Sequence, residues 1–278
     1  MQPLESADFD KIRALFAQPY TRLPVAAFIA GTASARVWVD NAEEPRSALI
    51  WAKSSGLYLG GAADNPAFNR MIGDIVADRV LPELEHPIFK VHFDGEGWRQ
   101  QSGALLPMLT LIPLQRALLT LHKPLPVDPA WHAAIPLGFA LHTITEDLLI
   151  YRHPKNLERL RAEIETMWPS LSQFMRSGFG YCLLRADAEI VAWCTAEYVS
   201  GDQCGIGIET LEDYQGRGFA TFVARAFVEH CRAHSIRPHW DSWSSNLPAL
   251  AVARKVGFVS AGDYTVWLAR APQGKAQT

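Results

Sequence analysis

The chain has 278 residues, is 49% hydrophobic and 20% charged, and carries a formal net charge of −3. That length allows one large domain or two small ones, and the composition excludes a disordered or fibrous chain. The balanced charge excludes a general electrostatic pull toward nucleic acid or an anionic membrane, so neither is expected as a partner.

In chain order, the first half opens on a helix-like stretch, Asp8 to Gln18. Strands are predicted at 35–40, 47–52 and 57–60, the first two separated by the turn Asn41-Ala42-Glu43-Glu44-Pro45-Arg46. Residues 65–84 read as a helix because Phe68, Met71, Ile72, Ile75, Val76 and Val80 keep a 3.6-residue spacing. A strand at 88–93, a helix at 97–106 and a strand at 117–121 follow. The longest apolar stretch, Gly103 to Leu114, is interrupted by Pro107 and Pro113 and is too short to cross a bilayer. The N-terminus has no basic region followed by an apolar core, so a cytoplasmic protein is expected. Residues 123–136 contain four prolines, which deny N–H donors to helices and ladders. The expected organisation is therefore an α/β domain at 1–125, a Pro-rich linker at 126–136 and a second domain at 137–278.

The second half reads as a strand at 139–143, helix at 154–175 broken near Pro169, and a hairpin of 181–185 and 189–198 around Ala186-Asp187-Ala188. A strand at 205–210, a glycine turn, a helix at 220–234 and a strand at 236–243 follow, then a closing helix and a last strand. Cys182, Cys194, Cys204 and Cys231 stand singly in these apolar elements, which predicts buried reduced thiols and no metal site.

Residues 206–220 read I-G-I-E-T-L-E-D-Y-Q-G-R-G-F-A. A strand that turns through two glycines into a helix start makes an anion site. Main-chain N–H groups point outward, the helix dipole adds partial positive charge, and glycine removes the Cβ that would keep a phosphate away.

Gln215-Gly216-Arg217-Gly218-Phe219-Ala220 resembles the acyl-CoA loop of the GNAT superfamily of N-acetyltransferases, [Gln/Arg]-x-x-Gly-x-[Gly/Ala]. Asn246 through Gly257-Phe258 is similar to that superfamily's closing helix, with Ala249 and Lys255 in place. The wording around 209–221 and 238–246 resembles a bacterial branch that includes antibiotic self-resistance acetyltransferases. The resemblance spans about residues 136–270. It implies a central twisted mixed sheet flanked by helices, with a first half that is either a degenerate GNAT-like domain or an unrelated α/β cap.

The resemblance further implies that acetyl-CoA is the acyl donor and the amine of a small molecule the acceptor. The pyrophosphate would rest on main-chain amides of Gln215, Gly216, Arg217, Gly218, Phe219 and Ala220. The pantetheine arm would run beside Ile208, Thr210 and Leu211, with Asn246 bonding it. Asn246 suits a helix N-cap equally well. Glu209, on a strand among apolar neighbours, and Asp241, on the next strand, are the candidate catalytic carboxylates; both also fit structural roles. Where many members carry a tyrosine that protonates the thiolate, this chain has Ala253; Ser242, Ser244, Ser245 and Tyr264 are the hydroxyls left. Direct transfer is the leading reading. A non-catalytic acyl-CoA-binding protein is the alternative, and an aminoacyl transferase accepting aminoacyl-tRNA is disfavoured by the lack of a basic surface signature.

Overall fold

A computed structural model describes residues 1–122, 129–186 and 188–272. Its elements in chain order begin with β1 (Gln2–Leu4), a 3-10 stretch Ser6–Leu15, α1 (Pro19–Ala30), β2 (Arg36–Val39), β3 (Ser47–Ala52) and β4 (Gly56–Gly61). α2 (Pro66–Ile75), β5 (Ile88–Phe93), α3 (Glu96–Leu105) and β6 (Thr110–Leu121) follow. Then come β7 (Phe139–Thr143), α4 (Leu157–Met167), α5 (Leu171–Ser177), β8 (Gly180–Arg185), β9 (Glu189–Ser200) and β10 (Gln203–Thr210). α6 (Phe219–Ala233), β11 (Arg237–Trp243), α7 (Leu247–Lys255) and β12 (Phe258–Arg270) complete the chain. The architecture is mixed α/β, sheet flanked by helices. No helix among the described residues is long and apolar enough to cross a membrane.

Helix α1 was not expected, because Pro19 and Pro24 both lie in it. Pro19 occupies the first turn, where its missing N–H costs nothing. The buried Asp94 carboxylate accepts hydrogen bonds from Ala17 N, Gln18 N and the Thr21 hydroxyl, which anchors the helix start from 73 or more residues away. Periodicity within the segment cannot report such a cap.

The compact units are Met1–Gln115 with the chain from Tyr264 on, and Arg116–Asp263. Their limits fall within β6 and β12, not in 126–136. The expected linker starts outside the described residues; 129–134 form a 3-10 turn. There the buried Trp131 donates from Nε1 to Glu229 Oε1 at 2.7 Å and stacks on Phe222, so the turn is packed on α6.

In the first unit β1, β2, β3 and β4 pair antiparallel in succession, and β4 pairs parallel with β5. The last part of β12, Trp267–Arg270, closes that sheet against Ile88–Val91 of β5. Trp98, Phe68, Phe93 and Leu59 fill its core.

In the second unit β7, β8, β9 and β10 pair antiparallel in succession, and β10 pairs parallel with β11. Arg116–Thr120 of β6 closes the sheet against His239–Trp243. Ile190 to Ala196 of β9 are buried without alternation because both faces are covered. Trp193 meets Glu163 of α4, whereas Cys194 meets Cys231 of α6. Neighbouring strand residues point to opposite faces, so α4 and α6 lie on opposite sides of the sheet.

A protein shortened to residues 137–278 lacks the strand that covers β11. Its bare His239–Trp243 edge is expected to drive association, with light scattering showing aggregates where the full chain gives a uniform species. A well-behaved fragment would contradict this assignment of the closing strand.

Candidate active site

The parallel ladder between β10 and β11 is short: Gln203↔Arg237, Cys204↔Pro238 and Gly205↔His239. Beyond it, β10 continues to Thr210 with β9 alone, while β11 continues to Trp243 with β6. The strands therefore part after Gly205 and His239, and Ile206–Thr210 present a main-chain edge on the β11 side. A register shift between Gln203 and Gly205, opposite Tyr198 at φ 47°, marks where the parting begins. Such bulges sharpen local twist.

The chain leaves β10 through a 3-10 turn, Glu212–Tyr214. Leu211, Tyr214 and Phe219 are buried, and the Tyr214 hydroxyl donates to Glu189 Oε2 at 2.8 Å. Gln215 Nε2 ties the loop back to Thr210 O at 3.1 Å. Between these anchors Gly216 (φ 75°) and Gly218 (φ 82°) adopt the left-handed region, which glycine enters without strain. A Cβ on either would meet nothing within 4 Å, so the space over the turn is open. Gly218 caps the fifteen-residue α6 with no side-chain hydrogen bond. The first-turn N–H groups and the positive dipole end face that open space. Arg217 donates to Asp213 O at 3.0 Å and rests over the Tyr214 ring.

Two buried hydroxyls without hydrogen-bond partners flank the parted strands: Thr210 Oγ1 at the end of β10 and Ser244 Oγ just past β11. A buried polar atom left unpaired is costly, so these are natural contact points for a ligand. The other hydroxyl candidates differ. Ser242 is buried within β11, and Tyr264 belongs to the first unit, stacked on Tyr20 with ring centroids 4.2 Å apart. Ala253 is fully buried beside Leu250 and Val256. Asn246 is the N-cap of α7, its Oδ1 accepting from Ala249 N at 3.2 Å.

Glu209 faces α4, opposite Trp193 in the β9 register, and is ion-paired with Arg159. Asp241 is ion-paired with Arg116 at 2.7 Å, and that guanidinium also lies 4.6 Å over the Trp243 ring. The two pairs differ in constraint: the Arg116 side chain is 13% exposed, that of Arg159 59%. His239 contacts Gln203 Oε1 at 3.0 Å, and burial lowers its pKa.

Two carboxylates absent from the sequence reading stand beside Glu209. Glu163 of α4 accepts from Trp193 Nε1 at 2.8 Å and lies within hydrogen-bond reach of Glu209. Burial pushes its carboxyl up to about 8, the Trp193 bond opposes the shift, and the charges of Glu197 and Glu209 reinforce it. Glu197 of β9 has its carboxylate where a Cβ on Gly207 would fall. Only the i, i+4 spacing of Arg159 and Glu163 in a predicted helix hinted at a shared face.

The sequence profile of the GNAT acetyltransferase family matches residues 125–267. A Bacillus subtilis protein named as an uncharacterized N-acetyltransferase, YdfB, is 26% identical over 96% of this chain and 98% of its own. A GCN5-related N-acetyltransferase-like protein from Streptococcus suis superposes with a TM-score of 0.69 at 17% identity, over 95% of this chain and 98% of that one. A tandem GNAT protein from the clavulanic acid biosynthesis pathway, solved without acetyl-CoA, gives 0.59 at 16% identity over 99% of both chains.

The raised Glu163 pKa makes stability pH-dependent. The folded state holds this proton more tightly than the unfolded chain, whose value is near 4.5, so stability is lost as pH rises from there toward about 8. Gln at this position does not titrate. In thermal unfolding, E163Q is expected to gain on the wild type between pH 5 and 8, by on the order of 1 kcal/mol per pH unit at most, and to hold that gain above. A constant difference across this range would remove Glu163 as the titrating group.

Proposed function

The chain belongs to the GNAT acetyltransferase family, and from that premise we propose that it transfers the acetyl group of acetyl-CoA directly to the amine of a small molecule. The observation that carries the reading is the parting of β10 from β11 above an open glycine turn at an α6 start that no side chain caps. In this reading the main-chain amides from Gly216 to Ala220 bind the pyrophosphate, with Arg217 free to swing from Tyr214 toward it; the Gln215 amide, also expected there, is spent on Glu212 O at 3.2 Å. The edge of Ile208 and Thr210 pairs with the pantetheine amides as an added strand would, whereas the Leu211 amide, also expected there, faces the other way and donates to Val191 O at 3.0 Å. Asn246 lies at the far side of the opening, at the start of α7.

Bound acetyl-CoA supplies an acyl group activated as a thioester. The residues then orient the amine and move its proton. Proton transfer falls to Glu209, which stands at the open edge and whose partner Arg159 is solvent-exposed and free to move. Asp241 is pinned by the buried, ring-stacked Arg116, which suits a fixed hydrogen-bond acceptor that orients the amine substrate. With Ala253 buried, Ser244 Oγ is the unpartnered hydroxyl left to donate at that end of the site.

The first unit is proposed to be a GNAT-like half that has lost coenzyme binding. It repeats the sequence of pairings, but β4 runs only two residues, Gly60 and Gly61, past its ladder with β5, and the Phe16 ring lies where a Cβ on Gly60 would fall. That ladder runs Leu57↔Val91, Tyr58↔His92, Leu59↔Phe93, and Asp94 N closes it on Leu59 O at 2.8 Å. The start of α2 is capped by the Asn65 side chain, which also donates to the Asp40 carboxylate at 2.9 Å. A phosphate there would meet a filled cap and a negative charge.

Calorimetry with coenzyme A is accordingly expected to give one site per chain. Gly218→Asp should weaken it by roughly 100-fold or more, because like charges brought together cost several kcal/mol; unchanged affinity would count against the loop. Glu209→Gln should cut turnover on an amine acceptor at least about tenfold, a typical contribution of a general base being larger, without changing coenzyme affinity.

A further inference from the structure

We infer that Glu163 is a positioning residue for this reaction: one proton, held on Glu163, bridges it to Glu209 and fixes Glu209 as a charged proton acceptor beside the open edge of β10. The inference rests on the proposed role of Glu209.

The geometry comes from three elements. Arg159 and Glu163 stand one turn apart on α4 and leave the helix from the same face. Arg159 grips Glu209 through Oε1, and Glu163 reaches it as a hydrogen-bond partner. Trp193, which sits directly across from Glu209 in the ladder, donates to Glu163 Oε2 at 2.8 Å. An ionised carboxylate only accepts, so two carboxyls in hydrogen-bond contact need a proton between them. The indole N–H occupies Oε2 of Glu163 and leaves Oε1 to carry that proton toward Glu209. Glu209 then has two donors, Arg159 and Glu163, and a defined orientation.

The groups facing Glu163 decide where the proton stays. They are Arg159 on its own helix, Glu197 and Trp193 on β9, and Glu209 on β10, while the Cys194 thiol lies across the sheet on the α6 face. The only cation among them pairs with Glu209 and is exposed, while Glu197 adds negative charge. Burial and these neighbours keep Glu163 protonated at neutral pH. During transfer the new amide C–N bond forms as the thioester C–S bond breaks, the amine N–H bond breaks and an O–H bond forms on Glu209, and the leaving thiolate takes a proton from Ser244 Oγ, which solvent replaces. The proton on Glu209 then passes to solvent along the exposed Arg159 side, and Glu163 keeps its own. Above about 8 Glu163 ionises, the two carboxylates repel, and Glu209 loses its position. A Gln amide at 163 donates the same bond at every pH.

The test uses the full chain as wild type, E163Q, E163L and E209Q. Carbon-13 NMR of labelled glutamate carboxyls, which needs no coenzyme, should reveal one carboxyl that titrates near 8 in the wild type. It should vanish in E163Q and titrate lower in E209Q, where the neighbouring charge is gone. Release of coenzyme A from acetyl-CoA is then followed with butylamine as the acceptor probe. Below neutral pH the E163Q-to-wild-type rate ratio should be flat, and above pH 8 it should climb by about tenfold per pH unit. E163L should lose at least about tenfold at neutral pH with unchanged coenzyme A affinity, the loss that Gln rescues. If butylamine is not turned over, the titration alone decides. No carboxyl titrating near 8, or one that persists in E163Q, overturns the inference, as does wild-type turnover in E163L. Wild-type turnover in E209Q would instead remove the base assignment and leave the shared proton standing.

Discussion

The structure depends on one interruption of hydrogen bonding: the parallel ladder of β10 and β11 stops after Gly205 and His239. Strands normally satisfy both edges, and buried main-chain groups cannot go unpaired cheaply. Here each strand is completed on its outer side, β10 by β9 and β11 by β6, so the gap between them persists without unravelling either. The local irregularity at Tyr198 lets β10 change direction where the ladder ends. The cost of the unmatched edge is what a strand-like ligand arm would recover.

That gap is useful because of what lies at its end. β10 runs into a loop whose hydrophobic anchors, Leu211, Tyr214 and Phe219, are buried while its glycines remain open to solvent. Anchored ends and an exposed tip place the start of α6 at a fixed position without a capping side chain. The same pairing order occurs in the first unit, where the Phe16 ring beside Gly60 and the Asn65 cap fill both features. Fold and open turn are thus separable: the pairing order sets the first, and a few residues at one strand end and one helix start set the second.

The carboxylates on the α4 face show how burial creates chemistry that composition does not announce. Glu163, Glu197 and Glu209 converge from three elements around Gly207, whose missing side chain leaves room for the Glu197 carboxylate. In water each would be an ordinary ionised acid. Packed against Trp193 and one another, one of them retains its proton near neutrality.

The sequence alone determined the order of elements from β2 onward, the break between α4 and α5, the glycine turn and the helix it opens. These follow from apolar spacing and from φ angles that only glycine adopts freely, and both are properties of neighbouring residues. It also presented Glu209, Asp241 and Asn246 as residue types without deciding their surroundings. Tertiary structure decided that Arg116 reaches Asp241 across 125 positions, that Trp193 and Arg159 organise Glu163 and Glu209, and that Asp94 starts α1 despite its prolines. It also decided that 116–120 pair with β11 and 267–270 with β5, which is why the compact units do not end in the Pro-rich stretch. Those outcomes need residues far apart in sequence to meet, and side-chain burial, partner and charge exist only once they have met.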